Sequence, residues 1–166
     1  MAVKSELPIW LNLFRHAGDW QAQAAEMFAR TPLFEDIPLR TLRRLVNEMY
    51  HRNFADGELV FEVGDPGLGM YLVLKGGVSV HLDKEPLAQL GPGDFFGEVA
   101  LFGNETRTAS ASAHGETELV GFFRPALEEW VDRSPELGAR FLLKLGHVLA
   151  ERLRRTNERL VQAENG

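Results

Sequence analysis

One carboxylate and one guanidinium stand close together in the stretch GDFFGEVALFGNETRTAS, residues 93–110. Glu98 follows a glycine-led turn, and Arg107 comes nine positions later among small side chains, with an apolar run between them. An ionised carboxylate only accepts hydrogen bonds, which suits it to hydroxyl groups such as those of a sugar. A guanidinium offers a planar fork of donors that matches phosphate oxygens. Gly97 lets a ligand approach the backbone closely. The segment FGEVALF reads as a one-turn helix beginning near Gly97, and the unpartnered N–H groups of a helix start favour an anion. Thr108, Ala109 and Ser110 leave room beside the arginine. Two readings follow from the residues: either Glu98 and Arg107 pair on a loop surface, or they flank a pocket for a small ligand with one phosphate and a free sugar hydroxyl.

Other chemistry finds little support. His16, His51, His81, His114 and His147 are scattered singly, and no two have the spacing of metal ligands. There is no nucleophile elbow and no phosphate loop ending in Gly-Lys-Ser/Thr, so no enzyme, metal or cofactor is expected. The chain has no cysteine, which excludes a disulfide framework and thiol catalysis and agrees with a reducing compartment. Its 166 residues carry a net charge of −6, without a block of Lys or Arg. Arg152, Arg154 and Arg155 are diluted by Glu151 and Glu158 and read as the solvated face of a helix, so direct nucleic-acid binding is not expected. In the first twenty residues Glu6, Pro8, Asn12 and Arg15 interrupt the apolar run, which has the form of neither a membrane span nor a signal peptide. A cytoplasmic protein is expected.

Three zones of pattern must position the Glu98–Arg107 stretch. From Ile9 to about Tyr50 apolar residues recur at helical spacing, with Gly18–Asp19, Pro32 and Pro38 as breaks. From Phe54 to Phe123 the period changes to two. ELVFEV, MYLVLKG, GVSVHL, PLAQLG, TASASA and TELVGFF are short apolar segments punctuated by glycine, the signature of an antiparallel barrel or sandwich of many short strands. From about Ala126 the pattern is helical again, with Pro135 near the start of the last helix. Leu142, Leu145, Leu149, Leu153, Thr156 and Leu160 then follow a coiled-coil rhythm. Leu142 and Leu145 are expected to pack on the barrel. Beyond Glu151 only a narrow apolar stripe remains, which suits a partner helix and points to a homodimer.

In this order the segments FADGELVFEVGDPGLGMYLVLKGGVSVHL and GDFFGEVALFGNETRTASASA resemble the cyclic nucleotide-binding domain of the bacterial catabolite activator protein, cyclic-nucleotide-dependent kinases and gated channels. The resemblance runs from about Pro32 to Leu160. It implies a mainly β fold with flanking helices: an antiparallel β-roll or jelly-roll barrel of about eight strands, N-terminal helices and a long C-terminal helix. The chain divides accordingly into a helical extension at 1–31, the β-roll at 32–125 with a phosphate-binding cassette at 93–110, and C-terminal helices at 126–166 that serve as lid and dimer seam.

The resemblance also implies roles. Glu98 bonds the ribose 2′-hydroxyl and Arg107 the cyclic phosphate, with Gly97, Val99 and Ala100 offering backbone and Thr108 and Ala109 closing the other side. The family usually has proline before the arginine, where this chain has Thr106. Among relatives a threonine after the arginine goes with contact to guanine, so Thr108 permits cGMP. Thr156 and Asn157 match a hydroxyl pair that contacts adenine, one residue from each subunit, and the Asn157 carbonyl can accept the same bond. The expected ligand is therefore cAMP, with cGMP left open. With no second domain in the sequence, a stand-alone sensor is expected, its final helix closing over the base. An unidentified downstream protein would read it, and Trp10, Leu13 and Phe14 are the N-terminal residues available for that. The competing expectation is a degenerate, non-binding barrel that serves as an interaction module.

Overall fold

The structure is a computed structural model and describes residues 19–103 and 105–164. Trp10, Leu13 and Phe14 lie outside the described residues. Helix α1 (Asp19–Ala29) buries Ala24, Ala25 and Phe28. A turn through Thr31 and Phe34 leads to Pro38, whose extended backbone precedes α2 (Leu39–Val46). Helix α2 buries Leu42, Leu45 and Val46 and turns Arg40, Arg43 and Arg44 outward, an amphipathic pattern of helical period.

Six strands follow among the described residues: β1 (Tyr50–Phe54), β2 (Leu59–Phe61), β3 (Gly69–Leu82), β4 (Glu85–Leu90), β5 (Phe95–Phe96) and β6 (Ser110–Phe123). All pair antiparallel in the order β1-β6-β3-β4, with β2 also on β6 and β5 also on β3. The antiparallel roll is as expected, but with six strands instead of about eight, because two pairs of segments fuse. MYLVLKG and GVSVHL form the single strand β3, and TASASA and TELVGFF form β6.

The fusion has a local cause. At Gly76 the φ angle is +78°, and a Cβ there would lie 2.2 Å from the Glu116 carbonyl oxygen, so only glycine carries the chain through the bend. The register against β6 shifts at this point, and the buried Thr117 hydroxyl pins it by donating to the Gly77 carbonyl at 2.8 Å and accepting from the Gly77 N–H at 3.2 Å. Two short strands escaped the sequence pattern for opposite reasons. β1 buries only Phe54 and so shows no apolar alternation, and β5 has only two residues.

Both faces of β3 and β6 are covered. Tyr71, Val73 and Leu119 point into the roll beside Phe54, Phe96 and Val78. Their neighbours Met70, Leu72, Leu74, Val120 and Phe122 face the helices, in a second core with Phe28, Phe34, Leu42, Phe141 and Leu145. Period-two alternation with both sides buried explains why MYLVL reads as an unbroken apolar run. Phe141 meets Phe34 at 5.2 Å and Trp130 at 5.5 Å between ring centres, so truncating it to Ala would remove about 3–5 kcal/mol.

Helix α3 (Arg124–Arg133) leaves β6 directly, and α4 (Pro135–Glu164) starts at the expected proline. Along α4, Leu145 is fully buried and Leu142 and Leu149 pack on the core, whereas Leu153 and Leu160 are 62% and 58% exposed. Among the described residues no helix is long and apolar enough to cross a membrane.

Candidate functional site

The residues of the GDFFGEVALF segment form a short turn, β5 and then a four-residue 3-10 helix, Glu98–Leu101. Gly97 stands before that helix with a φ of +73°, and a Cβ there would lie 2.6 Å from Arg107 Nη1. Conformation and space both require glycine. The helix start expected near Gly97 is therefore present. Behind it, the loop after β2 pairs with the arginine segment through backbone. Arg107 N–H donates to the Asp65 carbonyl at 2.8 Å, Gly64 N–H to the Arg107 carbonyl at 2.8 Å, and Gly67 N–H to the Glu105 carbonyl at 3.1 Å. Thr106 bridges Pro66 within this ladder, and its own N–H takes no part in it.

Glu98 and Arg107 are both buried, at 6% and 7% exposure, and they do not pair with each other. Arg107 donates from Nη1 to the Gly97 carbonyl at 3.0 Å and from Nη2 to the Gly69 carbonyl at 2.7 Å. Its guanidinium lies 4.1 Å above the Phe61 ring centre, and its buried Nε has no partner. Burial draws its pKa down from the ordinary arginine value, opposed by Tyr71, Asp65 and Glu98 nearby. Arginine keeps its proton regardless. Among the described residues no carboxylate is within ion-pairing distance of Arg107, so a desolvated positive charge is held by neutral acceptors alone. Such a site has a physical demand for an anion.

The Glu98 carboxylate is met from α4. Arg152 Nη1 lies 2.5 Å from Glu98 Oε1, Arg152 Nη2 donates to the Phe95 carbonyl at 3.0 Å, and the guanidinium stacks 4.6 Å from the Phe95 ring centre. Between these groups lies a cleft of about 590 Å³. Gly97, Glu98, Val99 and Ala100 line one side, and Arg107, Thr108 and Ala109 another. Apolar residues including Phe61, Val80 and Leu90 form a further wall, and Arg152, Arg155, Thr156 and Arg159 close it from α4.

Every expected site residue except one is thus brought to the cleft. Asn157 does not line it, being one position round the helix from Thr156, whose hydroxyl donates to the Arg152 carbonyl at 2.9 Å. Arg152 and Arg155, read from sequence as part of a solvated face, line the cleft, and Arg159 joins them. The available signal was spacing: 152, 155, 156 and 159 share one helical face. Arg154 instead pairs with Glu151 and Glu158 on the solvent side. Among the described residues no group of three or more His, Cys, Asp or Glu side chains is placed to hold a metal ion.

Residues 51–134 match the family model described as the cyclic nucleotide-binding domain. A CRP-like cAMP-activated global transcriptional regulator of Mycobacterium tuberculosis is 33% identical over 140 residues, covering 81% of this chain and 61% of the regulator. The cyclic AMP receptor protein of Thermus thermophilus is 34% identical over 129 residues, covering 75% of this chain and 58% of the relative. The chain therefore spans about three-fifths of the length of these relatives. Among solved structures, a cyclic nucleotide-binding domain from Methylobacillus flagellatus superimposes with a TM-score of 0.74 at 27% identity, covering 87% of this chain and 84% of that one. The Thermus thermophilus catabolite activator protein gives 0.71 at 31% identity, covering 81% of this chain and 63% of that one. The antiparallel roll agrees with these matches, and the chain belongs to the cyclic nucleotide-binding domain family, a regulatory binding family and not an enzyme family.

Proposed function

We propose that the chain is a cyclic nucleotide sensor whose ligand is cAMP. The observation that carries this is the buried Arg107, charged, desolvated and hydrogen-bonded to carbonyl oxygens with no carboxylate at ion-pairing distance among the described residues. A cyclic phosphate supplies the missing negative charge, and exchanging neutral acceptors for an anion gives shorter, stronger bonds. Glu98 accepts from the ribose 2′-hydroxyl, with backbone from Gly97, Val99 and Ala100 beside it. Thr108 and Ala109 close the phosphate side. The relatives named as cAMP-activated and as a cyclic AMP receptor support the choice of nucleotide.

In this reading the segment 93–110 is the binding cassette and α4 is the lid. Thr156 faces the base from the same chain, and Asn157, turned away from this cleft, reaches the base of a second copy in a homodimer. The exposed Leu153 and Leu160 supply the seam. Ligand shifts the lid only through its difference in affinity for the open and closed states. A cytoplasmic location is proposed with this function, in keeping with the absence of cysteine.

Isothermal titration calorimetry with cAMP and cGMP tests the reading. Micromolar or tighter cAMP binding that Arg107→Ala abolishes is the expected result. Thr108→Ala should weaken cGMP more than cAMP, and Thr156→Ala the reverse. A folded protein that gives no heat with either nucleotide would leave the interaction module as the better account.

A further inference from the structure

Outside the cleft, hydrogen bonds from Arg124 join the far end of the cassette helix to the helices behind it. Arg124 is the first residue of α3. Its Nη2 donates to the Ala100 carbonyl at 2.8 Å and also to the Gly103 carbonyl, and its backbone N–H donates to the Leu68 carbonyl at 3.2 Å. The last carbonyls of a helix lack intrahelical donors, and a cation there also meets the negative end of the helix dipole. A single 3-10 turn has little cohesion of its own. Its near end presents Glu98 to the cleft, and its far end is held by Arg124.

Behind Arg124 lies a packed core. Leu127 and Trp130 of α3 are buried, and Trp130 meets Phe122 at 6.5 Å and Phe141 of α4 at 5.5 Å between ring centres. A Cβ on Gly138, in the first turn of α4, would lie 2.8 Å from Val131 Cγ2, so α3 and α4 are in direct contact at their junction. Apolar contacts between the cassette and the helices, such as that of Leu101, are non-directional and tolerate sliding. Hydrogen bonds from the one Nη2 to two carbonyls are directional and fix a geometry.

We infer that Arg124 is the positioning residue that transmits cassette movement to α3 and α4, so that it governs the response of the lid helix to nucleotide separately from nucleotide affinity. The inference rests on the reading of the cleft as a cyclic nucleotide site. It separates the two ends of one short helix by role: the Glu98 end senses the ligand, and the Ala100–Gly103 end drives the helices.

The test combines calorimetry with hydrogen exchange over residues 140–162 at saturating cAMP, on the full chain and on Arg124→Gln, Arg124→Lys and Arg133→Ala. Saturation ensures that weaker binding cannot account for a missing response. The wild type should gain protection in α4 on binding. Both Arg124 variants should bind cAMP within about tenfold of wild type, yet lose at least about fivefold of the ligand-induced protection. Arg133→Ala breaks the pairing of α3 with Glu48 without touching the cassette and should respond as wild type. Lysine keeps the charge, but its ammonium stands one bond nearer the backbone than Nη2 and falls short of the two carbonyls, so it decides the matter if the Gln variant fails to fold. Wild-type protection in both Arg124 variants overturns the inference, as does an equal loss in Arg133→Ala or a wild type that binds cAMP without protecting α4. A wild type that binds neither cAMP nor cGMP overturns the cleft reading itself, before any variant is compared.

Discussion

Glu98 and Arg152, 54 positions apart in sequence, meet at 2.5 Å across the mouth of the cleft. The carboxylate is 8% exposed at its side chain and the guanidinium 42%. Helix α4, the proposed lid, is therefore tied to the residue proposed to bind ribose, so that the proposed site and the proposed lid share one carboxylate. A double-mutant cycle with Glu98→Gln and Arg152→Gln should give a coupling of about 1–2 kcal/mol in denaturant unfolding, less than for a fully buried pair because Arg152 is partly solvated. A coupling near zero would mean that this ion pair does not help to hold α4 over the cleft.

Gly97→Ala should be far more damaging than its size implies. The φ of +73° and the 2.6 Å approach to Arg107 Nη1 together displace the guanidinium. The expected loss is about 1–3 kcal/mol of stability, accompanied by loss of cAMP binding in calorimetry. Gly57→Ala makes the control, since Gly57 also has a positive φ, of +76°, but has nothing within 4 Å of an added Cβ.

Thr106→Pro should be tolerated. The Thr106 N–H is absent from the backbone ladder that Arg107, Gly64 and Gly67 build with Asp65 and Glu105, so proline removes no bond from it. A thermal melt should show stability unchanged or raised by about 0.4–1 kcal/mol, through a stiffer unfolded chain. A fall of similar size would show that the backbone at this bridge is incompatible with a proline ring.

Acid should loosen the exposed end of α4. Hydrogen bonds from Arg154 and Arg155 lower the pKa of Glu151. A carboxylate with a depressed folded-state pKa contributes stability that is present above its unfolded pKa, about 4.3 for glutamate, and is lost as pH falls through the lower folded value. Circular dichroism at 222 nm between pH 7 and pH 3 should show a loss of helix that begins below about pH 4.5. In Glu151→Gln this component should be missing, with lower helicity already at pH 7.

The class of fold and the pair of residues at the centre of the site were legible in local pattern. Period-two apolar runs with glycine punctuation require a roll of strands whatever the details, because side-chain alternation is local geometry. Glu98 and Arg107 stand out for a similar reason: an acid and a base in a glycine-rich, otherwise apolar stretch have few local roles. The helical face of Arg152, Arg155, Thr156 and Arg159 was also present in the spacing, but spacing does not say what a face looks at.

Tertiary structure alone decided that Glu98 pairs with Arg152 and not with Arg107, and that Arg107 is buried on Phe61 with carbonyl acceptors. It also decided that Thr156 and not Asn157 enters the cleft, and that Arg124 grips the cassette from behind. The contacts of Glu98, Thr156 and Arg124 depend on how the roll places α3 and α4 against the cassette. That placement is set by the packing of Phe34, Phe122, Trp130 and Phe141 in a core assembled from distant parts of the chain. Local pattern shows which residues want burial. Which partner each then meets follows only from the shape of the core they make together.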